Sequence, residues 1–185
     1  MPGEIVKTIS IETGATATLT RASPEDTDKV WSIISTSATW LLADKGLDHW
    51  SSYYTRKLVA KKIQNQEVYL LSAGDRPVAT ISLSSDAVDY YTPDNLNSFA
   101  DPKATAVYVS SLAVDPNYQG RGIASRLMEF ADQAARDRGL KYVRFDCRAE
   151  YTDLVDFYKK RGYQEVGSFT EGEGQNYLLM EKVLT

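Results

Sequence analysis

The chain has 185 residues, 43% of them hydrophobic and 25% charged, with a formal net charge of −4 at pH 7. This suits one domain, residues 1–185, with a real core; the acidic balance argues against a nucleic-acid surface, which carries a basic face, and suits a cationic partner such as an amine. A single cysteine, Cys147, excludes a disulfide framework and a CxxC site, a single histidine, His49, leaves little material for zinc, and no apolar run has signal-peptide or membrane-span character. The expectation is a cytoplasmic protein without a metal or a membrane contact.

Residues 1–13 read as an irregular start or a strand extension, and 15–20 (ATATLT) as the first strand. Ser23 ahead of Pro24-Glu25-Asp26 is a helix start: a capping residue, a proline, then acids in the first turn. The helix carries Val30, Ile33 and Ile34 toward Trp40-Leu41-Leu42, and Gly46 interrupts it. A second helix is expected over about 51–63, with Leu58, Val59 and Ile63 inward. Trp31, Trp40 and Trp50 mark this region, and most of them are expected in the core. Residues 67–72 and 77–83 read as two strands joined by the hairpin loop Ala73-Gly74-Asp75-Arg76. From 86 to 103 the chain is polar and turn-rich, yet Tyr90, Tyr91 and Phe99 set it apart from disordered sequence. A connection of this length is either functional or a surface excursion such as an oligomer contact.

Residues 105–139 organise the rest. Residues 106–114 read as a mostly buried strand, broken by Asp115-Pro116-Asn117. Gln119-Gly120-Arg121-Gly122 follows, and then Ile123, Leu127, Ala131, Ala134 and Ala135 recur at helical spacing up to Gly139. A strand, a glycine-bearing loop and a helix N-terminus make an anion site, because the first helical N–H groups have no internal partner and glycine lets a phosphate approach the backbone. The ordinary alternative is a strand–turn–helix corner. The dinucleotide fingerprint fails at Ser125, where its third glycine belongs, and the P-loop ending Gly-Lys-Ser/Thr is absent. Further on, 141–146 (KYVRFD) alternates as a strand, Thr152 can cap a helix through about Arg161, Gly162 ends it, and 163–169 and 176–183 read as a final hairpin across 170–175.

Gln119-x-x-Gly122-x-Ala124, after Leu112-Ala113-Val114 and opening a long helix, resembles the GNAT superfamily of acyl-CoA-dependent N-acyltransferases. Phe157-Tyr158-Lys159-Lys160-Arg161-Gly162-Tyr163 is similar to that family's aromatic–Tyr–x–x–x–Gly–aromatic signature. The resemblance is specific from about Val107 to Phe169, and before that it extends only to the layout. It implies an α/β (α+β) fold with a mixed, mostly antiparallel central sheet flanked by helices and a splayed central strand pair. It also implies acetyl-CoA as cosubstrate. The pyrophosphate would lie on the amides of Gln119, Gly120, Arg121, Gly122, Ile123, Ala124 and Ser125, and the pantetheine arm along Leu112, Ala113 and Val114, near Tyr151 and Tyr158.

Amide formation from a thioester needs a neutral amine, stabilised charge at the carbonyl and a proton for the leaving thiolate. Tyr158 is the candidate acid, since a phenol with a pKa of about 10 matches a departing thiol; the alternative is a half-buried helix tyrosine. Tyr151 stands where many members carry an Asn that bonds the pantetheine arm. Ser110 stands where many carry a basic Glu, and a serine cannot serve as a base unaided. Asp146 is the candidate base, directly or through water, the alternative being an acid bonded to a nearby backbone amide. His49 is expected to be exposed and silent, and Cys147 a small core residue rather than an acyl carrier.

The reading is acetyl transfer from acetyl-CoA to a primary amine of a small molecule, by direct attack, in a monomer or homodimer. Two alternatives stay open: an acyl-CoA-binding regulatory or degenerate module without turnover, and a transferase for protein or peptide amines.

Overall fold

The computed structural model describes residues 5–11, 16–172 and 174–185; the expectations that touch 1–4, 12–15 and 173 lie outside the described residues. The chain forms two compact units, one of the residues up to Leu83 with Ser111–Glu129, the other of Ser84–Ser110 with Phe130–Thr185.

In the first unit the strands follow the order β1-β2-β3-β4-β5: β1 (Ile5–Ser10), β2 (Thr16–Arg21), β3 (Glu67–Ala73), β4 (Arg76–Ser84) and the last residues of β5 (Val107–Val114). β1 to β4 pair antiparallel. Val30, Ile33 and Ile34 of α1 (Thr27–Lys45) and Val59 and Ile63 of α3 (Arg56–Asn65) close over Val68 and Leu70 of β3 and Ala113 of β5. Each such aliphatic side chain stabilises the unit by ~1.5–3 kcal/mol on burial. A 3-10 turn, Pro24–Asp26, leads into α1, and the Ser23 N–H donates to Asp26 Oδ2 at 3.1 Å. Gly46 ends α1 at φ +67, a left-handed conformation that favours glycine.

Two expectations change here. The single helix over 51–63 is two helices, α2 (His49–Tyr53) and α3. Tyr54 turns extended, at ψ 132, and buries its ring in the core, while Thr55 restarts the helix by accepting the Leu58 N–H at 3.1 Å. None of the tryptophans is fully in the core: Trp31 and Trp50 are half-buried against it, and Trp40 is half-buried with Lys45 Nζ 5.9 Å from its ring.

In the second unit the order is β5-β6-β8-β7, with β6 (Tyr142–Arg148), β8 (Gln175–Val183) and β7 (Gln164–Glu171). β6–β8 and β8–β7 are antiparallel. β5 and β6 run parallel, and among the described residues they pair only at Val107–Val143 and Tyr108–Arg144, so they splay from there. β6 continues past the expected Asp146 to Arg148, because β8 pairs it throughout and sets Tyr177 opposite Arg148. α5 (Ile123–Asp137) buries Ile123, Leu127, Ala131 and Ala135 of the expected face, while Ala134 is half-buried at its edge. In α6 (Thr152–Lys159) the expected cap Thr152 is the first helical residue, and Tyr151 takes the cap position without a side-chain capping bond.

The 86–103 stretch is a packed part of this unit. It holds α4 (Pro93–Asn97), capped reciprocally: Thr92 Oγ1 accepts the Asn95 N–H at 3.3 Å, and Asn95 Oδ1 accepts the Thr92 N–H at 2.9 Å. Tyr91 and Phe99 are buried with Ala106, Tyr108 and Leu179. Gly167 of β7 allows this approach, since a Cβ there would stand 2.7 Å from Ser98 Oγ.

Candidate functional site

The anion loop lies in the first unit. Past Val114, the Asp115 carboxylate accepts the Asn117 N–H and Nδ2, both at 2.9 Å, and Arg76 Nη2 at 3.2 Å. Burial works to raise the Asp115 pKa, but these donors outweigh it and hold the carboxyl below its usual value. Arg121 lies 4.7 Å from the Tyr118 ring centroid and donates to the Asn117 carbonyl at 3.1 Å, which fixes its charge beside the loop. Gly120 and Gly122 both sit at φ +73, and a Cβ at Gly120 would meet nothing within 4 Å. The Arg126 N–H bonds back to the Gly122 carbonyl at 3.1 Å. The amides of Ile123, Ala124 and Ser125 therefore occupy the first turn of α5, whose N–H groups have no intrahelical acceptor. Backbone amides at a helix start with an arginine beside them are the chemistry a pyrophosphate would use.

Leu112, Ala113 and Val114 lead into this loop behind a kink in β5. Ser111 is the one non-glycine residue at positive φ, 54°, among the described residues. That conformation costs about 1–2 kcal/mol, and a buried contact of 2.7 Å between the Tyr54 hydroxyl and Ser111 Oγ supports it. No motif in the sequence signals the kink.

Tyr151, Tyr158 and Asp146 lie in the second unit. Tyr158 is buried on α6, its ring 4.4 Å from that of Phe145 and 5.2 Å from that of Phe157. Burial pushes its phenol well above the usual value, and Cys147 and Asp146 add to this. The hydroxyl therefore keeps its proton across the working range, which a proton donor requires. Tyr151 is half-buried at the start of the same helix.

Asp146 is half-buried on β6. Its Oδ1 accepts the Tyr90 hydroxyl at 2.9 Å and the Tyr91 hydroxyl at 2.7 Å, so its side-chain partners come from the 86–103 stretch. Burial raises its pKa, the two phenols act against that, and the net effect is upward. The Tyr-Tyr pair in an otherwise polar connection was the available sequence signal for these partners. By strand alternation Asp146 projects from the face of β6 opposite Phe145 and Cys147. Phe145 and Asp146 directly follow Arg144, the last β6 residue paired with β5.

The remaining candidates are less suited to chemistry. His49 is half-buried rather than exposed, at the start of α2, with its ring edge-on to Trp50. Burial pushes the Cys147 thiol up to about 12, so it is a poor nucleophile. Among the described residues, no group of three or more His, Cys, Asp or Glu can hold a metal ion, and no helix is long and apolar enough to cross a membrane.

Known proteins resemble this chain in sequence and in fold. The profile of the acetyltransferase (GNAT) family matches residues 28–163. The uncharacterized N-acetyltransferase YesJ of Bacillus subtilis (strain 168) is 24% identical over 164 residues, 87% of each chain. A GNAT-family acetyltransferase structure from Listeria monocytogenes 4b F2365 superimposes with a TM-score of 0.76 at 19% identity, covering 96% of this chain and 100% of that one. RimL, a ribosomal L7/L12 alpha-N-protein acetyltransferase in complex with coenzyme A, does so with a TM-score of 0.67 at 16% identity, covering 98% of each. The mixed sheet flanked by helices is the fold that these structures share. The chain belongs to the acetyltransferase (GNAT) family and is an N-acetyltransferase.

Proposed function

We propose that this protein transfers the acetyl group of acetyl-CoA to a primary amine of a small molecule by direct attack, as a single N-acetyltransferase domain in the cytoplasm. The observation that carries the reading is the 119–125 loop, where two glycines at φ +73 lead into the amide-bearing start of α5. Gln119, Gly120, Arg121, Gly122, Ile123, Ala124 and Ser125 receive the pyrophosphate. Leu112, Ala113 and Val114 pair with the pantetheine arm, which Tyr151 and Tyr158 flank. The neutral amine attacks the thioester carbonyl, a C–N bond forms and the C–S bond breaks. Asp146 takes the amine proton, and the Tyr158 hydroxyl supplies one to the departing thiolate.

With Ser110 where the family often carries a glutamate, Asp146 is the carboxylate this chain offers. Its position under Tyr90 and Tyr91 supports a compact cationic acceptor, and the formal charge of −4 favours the approach of one.

The test follows thiol release from acetyl-CoA against a panel of small amines and of peptides with free N-termini or lysines. Small amines are expected to support turnover and peptides to fail; turnover with peptides alone moves the acceptor class. Gly122→Asp sets a carboxylate against the pyrophosphate and is expected to abolish coenzyme A binding in calorimetry, so an unchanged affinity removes the loop assignment. Tyr158→Phe is expected to keep that affinity and lose ~10²–10⁴-fold in rate.

A further inference from the structure

The 86–103 stretch does more than cover the sheet. Tyr90 and Tyr91 reach the same oxygen of Asp146 with their rings nearly perpendicular, 5.4 Å apart at 83°. Tyr91 is held among Phe99, Tyr108 and Phe169, with ring centroids 5.9–6.5 Å away. The far end of the stretch is tied down by Arg144, which is wholly buried. Its Nη2 donates to the Asp101 carbonyl at 2.7 Å, its Nη1 to the Ala104 carbonyl at 3.3 Å, and its Nε to Glu181 Oε2 at 2.8 Å. Glu181 Oε1 accepts the Ala100 N–H at 3.1 Å. The two phenols are thus presented by a segment fixed at both ends. Both fall on Oδ1, and Oδ2 has no side-chain partner among the described residues.

We propose that Tyr90 and Tyr91 are positioning residues: they hold Asp146 ionised and oriented so that Oδ2 takes the proton of the attacking amine. This rests on the reading of Asp146 as the base. A carboxylate in a poorly solvated place tends to protonate, and a protonated one accepts nothing. Two phenol donors on one oxygen, together with the backbone hydrogen bond at Asp146 itself, counter that tendency and leave the other oxygen without a side-chain donor. Tyr91 does not surrender its proton, since burial and Asp146 itself keep its phenol well above its usual pKa. The other titratable groups that interact with Asp146 are Glu171 of β7, which opposes its ionisation, Tyr177 of β8, over whose ring Arg148 lies, and, from the opposite face of β6, Cys147 and Tyr158 of α6.

The experiment has two readouts. Carbon-13 NMR of protein labelled at aspartate Cγ follows the Asp146 titration without any acceptor, its resonance identified by its loss in Asp146→Asn. Tyr90→Phe and Tyr91→Phe are each expected to raise that midpoint by roughly one unit, the worth of one hydrogen bond to a charged group, and the double variant by more. Next, kcat/KM is measured against pH with an amine or peptide that turns over in the acceptor panel. Its acid limb is expected to move up by the same amount, with rates recovering at high pH and coenzyme A affinity unchanged. A merely structural role would lower the rate at every pH and leave the limb in place. Incorporating 3-fluorotyrosine at position 91, a stronger donor, is expected to move both midpoints down, which keeps the test valid if a Phe variant misfolds. An Asp146 midpoint that stays put in the variants overturns the positioning role. A midpoint that moves while the limb stays, or full activity in Asp146→Asn, overturns Asp146 as the base. Neither result touches acetyl transfer itself, which the acceptor panel decides separately.

Discussion

The base role proposed for Asp146 would come at the expense of stability. Its carboxyl pKa is raised in the folded state, chiefly by burial. A raised folded pKa means that the folded state binds the proton more tightly than the unfolded one. The stability this contributes is complete below the unfolded value and is lost as the pH rises through the folded value. At neutral pH the ionised group therefore weakens the fold. Asp146→Asn keeps an oxygen acceptor for both phenols and removes the charge. It is expected to raise the melting temperature at pH 7, with the gain vanishing in acid, below the ordinary carboxyl value of 3.8. An Asn variant that melts earlier than the parent at pH 7 would count against this. Asp115 has the opposite sign: its lowered pKa gives stability that is present above the unfolded value and lost as the pH falls. Tyr158 was legible because a motif surrounds it, whereas its raised pKa was not, since burial is a property of what packs around the ring.

Among the elements, α3 was the hardest to place. Its apolar spacing runs back into α2, and nothing in the periodicity marks Tyr54 as a break. Thr55 is the physical cause of the restart, accepting the Leu58 N–H that would otherwise be orphaned. Thr55→Ala is expected to cost ~0.5–2 kcal/mol and Thr55→Ser little, read as a lower denaturant midpoint at unchanged slope. If Thr55→Ala leaves the midpoint where it was, the cap is dispensable and the break belongs to Tyr54 alone. α5 was placed closely from sequence, because Gly122 and Gly139 bracket a strict apolar stripe. The kink at Ser111 in β5 had no such marker: serine is an ordinary strand residue until a contact like that with Tyr54 supports it.

At the scale of the molecule, the 86–103 stretch is tied down by one buried ion pair in the second unit. Arg144 and Glu181 are 0% and 3% exposed at their side chains, and between them they bond to the backbone of Ala100, Asp101 and Ala104. Such a pair adds little net stability when intact, because desolvation offsets the attraction, but breaking it leaves a buried charge uncompensated. Glu181→Gln is expected to cost ~3–5 kcal/mol in chemical denaturation and to loosen the 86–103 stretch in hydrogen exchange. A loss no larger than that of an ordinary surface substitution would show that the stretch is held by its aromatic contacts instead.

By itself the sequence determined the glycine loop, α5 and the Tyr158 helix, because caps, glycines and apolar spacing act within a few residues along the chain. The order of strands and helices followed from the same local signals together with the family resemblance. Only the tertiary structure decided which groups surround the chemistry. Tyr91 meets Asp146 across 55 positions, Tyr54 meets Ser111 across 57, and Arg144 meets Glu181 across 37. A donor and an acceptor so far apart leave no periodic trace, and only folding brings them together and sets how much water they keep. For that reason the tyrosine pair in the 86–103 stretch was visible in the sequence, while its tie to Asp146 was not.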